Sequence, residues 1–414
     1  VSARLPPDTL YLWFLGNPAA PVLVGELNLV MNRRGVSLRY AETWIKHGFP
    51  LSEDLPLIDI EHFPREKDTG AGAVDDARPD RWGERVIRLL DRPARLSLLE
   101  FLYYAGDDRF GALGVSTSRA TYLPREIGPL PKLIDVDAVH EVVRRVLARE
   151  PVDERQKRLI APGVSMGGAR PKALFQLGGE EWVIKFAEED RPAEPLIEHA
   201  AMTLAAKAGI TVAETESIPF KNGVAVAIRR FDRAAGERLH VLSANVALKA
   251  AGVELSYPNL ALLLRRRSPP DVNRAQMHEL FRRLVFNILI DNTDDHEKNH
   301  VLLATVNQQY VLAPAFDVLP IGQSLGYQAL VVGEQGAESS IENALTAAAQ
   351  YWLTQQDALA EARRVAEVVN GWRAHFAAQG LSAAVLDELT MHIDRPFLLE
   401  QRQALLGQDV QPTD

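Results

Sequence analysis

The chain has 414 residues, 47% hydrophobic and 24% charged, with a formal net charge of −9 and no cysteine. A chain of this length can fill more than one core, the lack of cysteine excludes disulfides, thiolate nucleophiles and cysteine-ligated zinc, and the acidic balance gives no global basic footprint for nucleic acid. No apolar run approaches the roughly 20 residues of a membrane helix and no signal-peptide pattern opens the chain, so the expected compartment is the cytoplasm, with no membrane partner.

In chain order, residues 1–45 carry "LYLWFLG", "PVLVGELNLVM" and "GVSLRYAETW", short apolar runs broken by Gly, Asn and Pro that predict a small antiparallel meander. The texture then turns irregular and helical: "DARPDRWGERVIRLLDR" (Asp76–Arg92) places Trp82, Val86 and Leu89 or Leu90 at helical spacing. "REIGPLPKLIDVD", with Pro124, Pro129 and Pro131 in and beside it, reads as a linker. Strands are expected to resume after it in "KALFQLGG", "EWVIKFA" and "GVAVAIRRFDR", rich in β-branched and aromatic residues. Between the last two lies "PAEPLIEHAAMTLAAKAGI", an amphipathic helix with Pro195 suited to its first turn and Gly209 to its stop. Beyond residue 240 helical periods dominate, with a strong stripe of Met277, Leu280/Phe281, Leu284/Val285 and Ile288/Leu289. Further helices follow around Trp352, Trp372 and Leu386, and Trp82, Trp352 and Trp372 are expected in the core.

The stripe ends at "IDNTDDHEKNH" (Ile290–His300), which holds four carboxylates, two histidines, two asparagines and a lysine. Two short apolar strands, "HVLLA" and "YVLAPAFDVLP", follow, and Asp317 stands just past the second. Asp294 and Asn299 are five positions apart, the D-x-x-x-x-N spacing of a kinase catalytic loop, where the Asp takes a hydroxyl proton and the Asn holds magnesium. A second aspartate beyond a hairpin completes such a metal site, because Mg²⁺ wants oxygen ligands and bridges phosphates. Upstream, Lys185 ends a β-branched strand as a phosphate-binding lysine does, and Glu198 on the next helix is its possible ion-pair partner. "GVSMGGARPK" (Gly163–Lys172) precedes that strand and offers glycines for close backbone approach to phosphate. His296 and His300 form an H-x3-H pair that gives weak support for zinc, and Arg265–Arg267 read as a solvated or substrate-facing patch rather than a DNA contact.

"VSMGGARPKA", "WVIKF", "RRFDR", "NTDDHEKN" and "LAPAFDVLP" resemble the signature segments of the HipA family, kinase toxins of bacterial toxin–antitoxin pairs, and "LPLIDIEHF" and "DARPDRWGERVI" resemble its N-terminal subdomain. The resemblance implies an α+β, two-lobed, protein-kinase-like fold. An N-terminal HipA-type subdomain would span 1–122, a small lobe 123–235 and a helical large lobe 236–414. It implies an ATP- and Mg²⁺-dependent serine/threonine kinase with nucleotide in the cleft between lobes. The implied partners are a HipB-like helix-turn-helix antitoxin, operator DNA reached indirectly through it, and an aminoacyl-tRNA synthetase substrate, glutamate–tRNA ligase being the best-known target.

Carried over by position, the resemblance makes Asp294 the catalytic base, with adjacent Asp295 the competing carboxylate, and puts Asn299 and Asp317 on magnesium. Lys185 would contact phosphates, Gly167, Gly168, Ala169, Arg170, Pro171 and Lys172 would form the loop over them, and the backbone of Arg229, Arg230 and Phe231 would hold adenine. His296 and Lys298 join the nucleotide set, His296 also ordering the loop, and Ser165 would be the autophosphorylated serine. Arg229 stands where some relatives carry an acidic residue. Two other readings stay open: a small-molecule phosphotransferase of the aminoglycoside-kinase kind, and a non-catalytic corepressor beside a DNA-binding antitoxin.

Overall fold

The structure, a computed structural model, describes residues 8–163 and 168–407. The chain divides into two compact units, one of Val1–Glu188, Pro219–Gly223 and Ala227–Ala251, the other of Glu189–Ile218, Val224–Val226 and Gly252–Asp414. Among the described residues no helix is long and apolar enough to cross a membrane.

The first unit opens with the expected meander. Thr9–Phe14, Val22–Val30 and Gly35–Tyr40 pair antiparallel in sequence order, with Leu113–Ser116 on the far side of Thr9–Phe14 and Glu61–His62 beyond Gly35–Tyr40. Alternate residues Leu10, Leu12, Leu27, Val36 and Leu38 are fully buried, as a one-faced sheet requires. The register slips between Leu12 and Trp13. On the other side of Val22–Val30, a Cβ on Gly25 would lie 2.1 Å from the Arg39 carbonyl oxygen, so only glycine lets this strand close on Gly35–Tyr40 there.

The helix expected within Asp76–Arg92, on Trp82, Val86 and Leu89 or Leu90, begins at Arg81. Pro79 disfavours helix in the residue before it, and Asp80 caps the start by accepting from the Gly83 amide. Trp82, Val86, Ile87 and Leu90 are buried, and the last turn widens into a π-turn over Ile87–Asp91. A second helix, Leu98–Tyr104, carries a capping box of Ser97 and Glu100.

Strands do not resume directly after the proline-rich linker. Val136–Ala148 is a helix with Val136, Val139, Val142, Val143 and Val146 buried. Its valines suggest strand by type, but their three- and four-residue spacing forms one helical face, and the spacing wins. Then Lys172–Leu177 and Glu180–Lys185 form a hairpin in register Lys172↔Lys185, turning at Gly178 and Gly179, both at positive φ. With Gly223–Arg229 and Thr215–Phe220 they make a four-stranded sheet in that order.

In the second unit, the helix Glu194–Lys207 has Pro195 in its first turn and stops before Gly209 at φ +75°. Asn273–Leu289 buries the whole expected stripe, from Met277 through Leu289. Val301–Ala304 and Tyr310–Leu312 form the expected hairpin. The helices Gln355–Asn370, Trp372–Ala378, Ala383–Ile393 and Pro396–Leu406 follow. Trp372 is in the core at 1% exposure, but Trp352 is not: it is 45% exposed, at φ 62°, with the Arg265 guanidinium 4.8 Å from its ring centre.

Candidate active site

The buried helix Asn273–Leu289 ends at Ile290, and the chain turns out of it through Asp291, a non-glycine residue at φ 60°. Two contacts fix the turn: the Asn292 amide donates to the Asn287 carbonyl, and Arg395 pairs with the Asp291 carboxylate at 3.0 Å. The loop 292–300 leaves from this anchored point.

Its two aspartates part company. Asp294 is exposed, and its carbonyl accepts from the His296 amide at 2.8 Å and from Asn299 Nδ2 at 3.3 Å. Asp295 is 3% exposed; its Oδ2 accepts from the Tyr257 hydroxyl, from Asn287 Nδ2 at 2.8 Å and from His300 Nε2 at 2.9 Å. A buried carboxylate needs such donors. Asp295 therefore fixes the loop, and of the two carboxylates Asp294 is the one open to solvent.

Asn299 is nearly buried and bonds the loop to itself through Nδ2, which leaves Oδ1 as the amide atom suited to a hard cation. His296 braces the same turn: its carbonyl accepts from the Asn299 amide and its Nδ1 from the Lys298 amide. The Lys298 side chain is exposed. Asp317 is 8% exposed and sits at φ 59°, a conformation that costs a non-glycine residue and persists where its surroundings impose it. One narrow pocket is lined by Asn287, Asp295, Asn299 and His300 together with Phe316 and Val318, the neighbours of Asp317 in the chain.

Among the described residues no group of three or more His, Cys, Asp or Glu side chains could hold a metal ion by itself. The donor set of one amide oxygen and one carboxylate fits Mg²⁺, which takes few protein ligands and completes its shell with water and phosphates. Among the described residues, buried Asp291 Oδ2, Thr293 Oγ1 and His300 Nδ1 have no hydrogen-bond partner, so the loop keeps polar capacity in reserve.

In the first unit, Lys185 ends its strand 1% exposed, directly across from Lys172. Lys172 is fully buried; its Nζ reaches Asp80 Oδ2 at 2.6 Å and the Gly168 carbonyl at 2.9 Å. It anchors the loop rather than lining it. Gly168 stands at φ 64°, Ala169 is exposed, Arg170 is half-buried, and the Pro171 carbonyl accepts from the Phe186 amide. Ser165 and Gly167 lie outside the described residues.

"RRFDR" is chiefly a framework element. Arg229 forms a surface ion pair with Glu180. Arg230 is 3% exposed and donates to Asp232, to Glu181 and to the carbonyls of Asp108 and Arg109. Its own amide is spent on the Glu181 carbonyl. Burial works against the charge on Asp232, but Arg230 and Arg233 outweigh it and hold the carboxyl well below its usual range. Phe231 packs edge-on against Phe110.

Glu198 is 1% exposed on its helix and is no solvated flank residue. Arg265 and Arg267 lie over the rings of Trp352 and Tyr310, so part of that basic run is committed to stacking. Reasoning from sequence missed Asp80 and Tyr257, whose partners Lys172 and Asp295 lie 92 and 38 residues away, and also Arg109 and Asn287, which bond mostly to nearer residues. Only the Asp80-x-x-Gly83 capping pattern carried a local signal.

A mixed helix-and-sheet architecture with a hairpin lysine, a helix-anchored D-x-x-x-x-N loop and a post-hairpin aspartate defines an α+β, kinase-like class of protein. The HipA N-terminal domain matches residues 20–116 and the HipA-like C-terminal domain residues 164–376. The chain belongs to the HipA family. Its fold is similar to that of HipA from Shewanella oneidensis MR-1, solved with HipB and operator DNA, at 18% identity and a TM-score of 0.66 over 96% of this chain and 98% of that one. Y4dM of Sinorhizobium fredii is 28% identical over 153 residues, 34% of this chain, and a Haemophilus influenzae protein is 24% identical over 184 residues, 38% of this chain. Both are provisionally named kinases, and the matches span 37% and 53% of their lengths.

Proposed function

We propose that this protein is the kinase toxin of a toxin–antitoxin pair, transferring the γ-phosphoryl group of ATP to a serine or threonine hydroxyl. The observation that carries the reading is the division of labour at 294–299. An exposed carboxylate is held on a loop pinned by a buried one, with an asparagine bonding the loop back to the first carboxylate's own carbonyl. Phosphoryl transfer is mostly positioning and charge neutralisation, and a pinned acceptor with oxygen donors beside it serves both.

Asp294 accepts the proton of the incoming hydroxyl and orients its oxygen. Asn299 and Asp317 would hold Mg²⁺, which when bound would supply charge neutralisation of the phosphate oxygens. Lys185 contacts the phosphates, the segment ending at Lys172 covers them, and the backbone near Arg229–Phe231 receives adenine. Membership of the HipA family and the kinase names of two relatives support this reading. The relative solved with HipB and operator DNA supports a HipB-like helix-turn-helix partner, through which DNA is reached indirectly. The substrate we propose is an aminoacyl-tRNA synthetase, whose modification would slow translation, and Ser165 is the proposed self-modified residue. The test is ADP release from Mg²⁺–ATP: activity in the wild type, absent in Asp317→Ala at full folding, supports the reading, and equal rates in both contradict it.

A further inference from the structure

Asp80 lies in the region matched by the HipA N-terminal domain, 92 residues from Lys172, yet the two side chains meet in a buried ion pair, 9% and 0% exposed. The same lysine donates to the Gly168 carbonyl, so Asp80, Lys172 and Gly168 form one chain of contacts. The register Lys172↔Lys185 sets both lysines on one face of the hairpin, where two like charges would oppose each other. Asp80 cancels the one that does not end the strand.

Further contacts hold the segment between Gly163 and Lys172 at both ends. Trp82 Nε1 donates to the Lys172 carbonyl at 2.8 Å. A Cβ on Gly83 would lie 2.1 Å from the Pro162 carbonyl oxygen, so the helix start and the entry to the segment touch backbone to backbone. A Cβ on Gly163 would lie 2.5 Å from the Ala105 carbonyl oxygen and 3.2 Å from the Arg109 Cα. Arg109, buried, donates to the carbonyls of Ala77, Leu102 and Gly106 and so makes that wall rigid.

We propose that Asp80 is a positioning residue for nucleotide binding: through Lys172 it fixes Gly168 and the end of the phosphate segment, and residues 80–83 and 105–109 are the abutment for both ends. Resting on the kinase reading above, this gives the N-terminal domain a direct part in ATP affinity.

The test compares the full-length chain with D80N and with D80N/K172M. Asparagine caps a helix as well as aspartate does, so D80N keeps the helix start while removing the charge. K172M then removes the buried cation that D80N deprives of the Asp80 carboxylate, so that the double variant stays folded. The expected result for the double variant is a melting temperature near wild type, with amide exchange over Ala169–Phe175 faster by about tenfold without nucleotide. Its KM for ATP should rise by about tenfold with kcat changed by less than about threefold, and D80N should show the same signs at smaller size. Unchanged exchange and unchanged KM in both variants would overturn the proposal. So would an unchanged or lower KM in D80N beside a raised one in the double variant, because Lys172 would then be a phosphate ligand in its own right. A wild-type chain that consumes no Mg²⁺–ATP would sink the kinase reading, and the exchange measurement would still decide the anchor.

Discussion

Asp294 and Asp295 are consecutive residues in opposite environments: the first is exposed, and the second is 3% exposed and takes hydrogen bonds from Tyr257, Asn287 and His300. The same substitution should therefore have different consequences at the two positions. Asp294→Asn should lower kcat by about 10²–10⁴-fold, the range for loss of a general base, with little change in melting temperature. Asp295→Asn should cost about 2–4 kcal/mol of stability, because three donors lose a charged acceptor. Chemical denaturation beside steady-state kinetics separates the two, and a stable, fully active Asp295→Asn would contradict the anchoring role.

Two buried groups oppose each other between pH 4 and 6. Burial pushes the Asp91 carboxyl up to about 6 despite Arg125 beside it, so below that pH the folded chain keeps a proton the unfolded chain has released, and stability falls as pH rises through the window. Burial pushes His240 down to about 4, its bond to the Leu51 carbonyl opposing this, so the unfolded chain takes up the proton first and stability rises with pH. The slope of melting temperature against pH should become more positive in Asp91→Asn and more negative in His240→Gln. Parallel slopes in wild type and both variants would contradict the assignment.

Trp352 and Trp372 differ in the same way as the aspartates. Trp372→Ala removes a ring that is 1% exposed and donates to the Asp394 carboxylate, and should cost about 3–5 kcal/mol. Trp352→Ala removes an exposed ring under Arg265 and should cost about 1 kcal/mol or less. Urea unfolding of both variants measures the difference.

Gly83→Ala should destabilise the chain by about 1–3 kcal/mol, because its Cβ meets a backbone oxygen that cannot move aside as a side chain would. Gly25→Ala faces the same geometry against the Arg39 carbonyl and should behave alike. A melting temperature within one degree of wild type for either, about 0.3 kcal/mol or less, would contradict the close approach.

Local patterns made much of this legible. The meander, the lysine strand, the helix from Pro195 to Gly209, the stripe of Asn273–Leu289 and the hairpin before Asp317 each carry their own period or punctuation. The helix Val136–Ala148 was hidden because valine votes for strand by type and for helix by spacing. Trp352 was misplaced because residue type alone suggests core. The braces of the candidate site were illegible for another reason. Asp80 meets Lys172, Tyr257 meets Asp295, and the Gly111 amide meets Asp232 across 92, 38 and 121 residues, distances at which sequence spacing carries no information.

The central claim, that Asp294 is the base of a working kinase, is tested most directly by intact mass spectrometry with peptide mapping. Wild type and Asp294→Ala, both unmodified at the start, are incubated with Mg²⁺–ATP. The account predicts a single added phosphate on Ser165 in the wild type and none in the variant. Equal phosphate in both, or none in either, would contradict it.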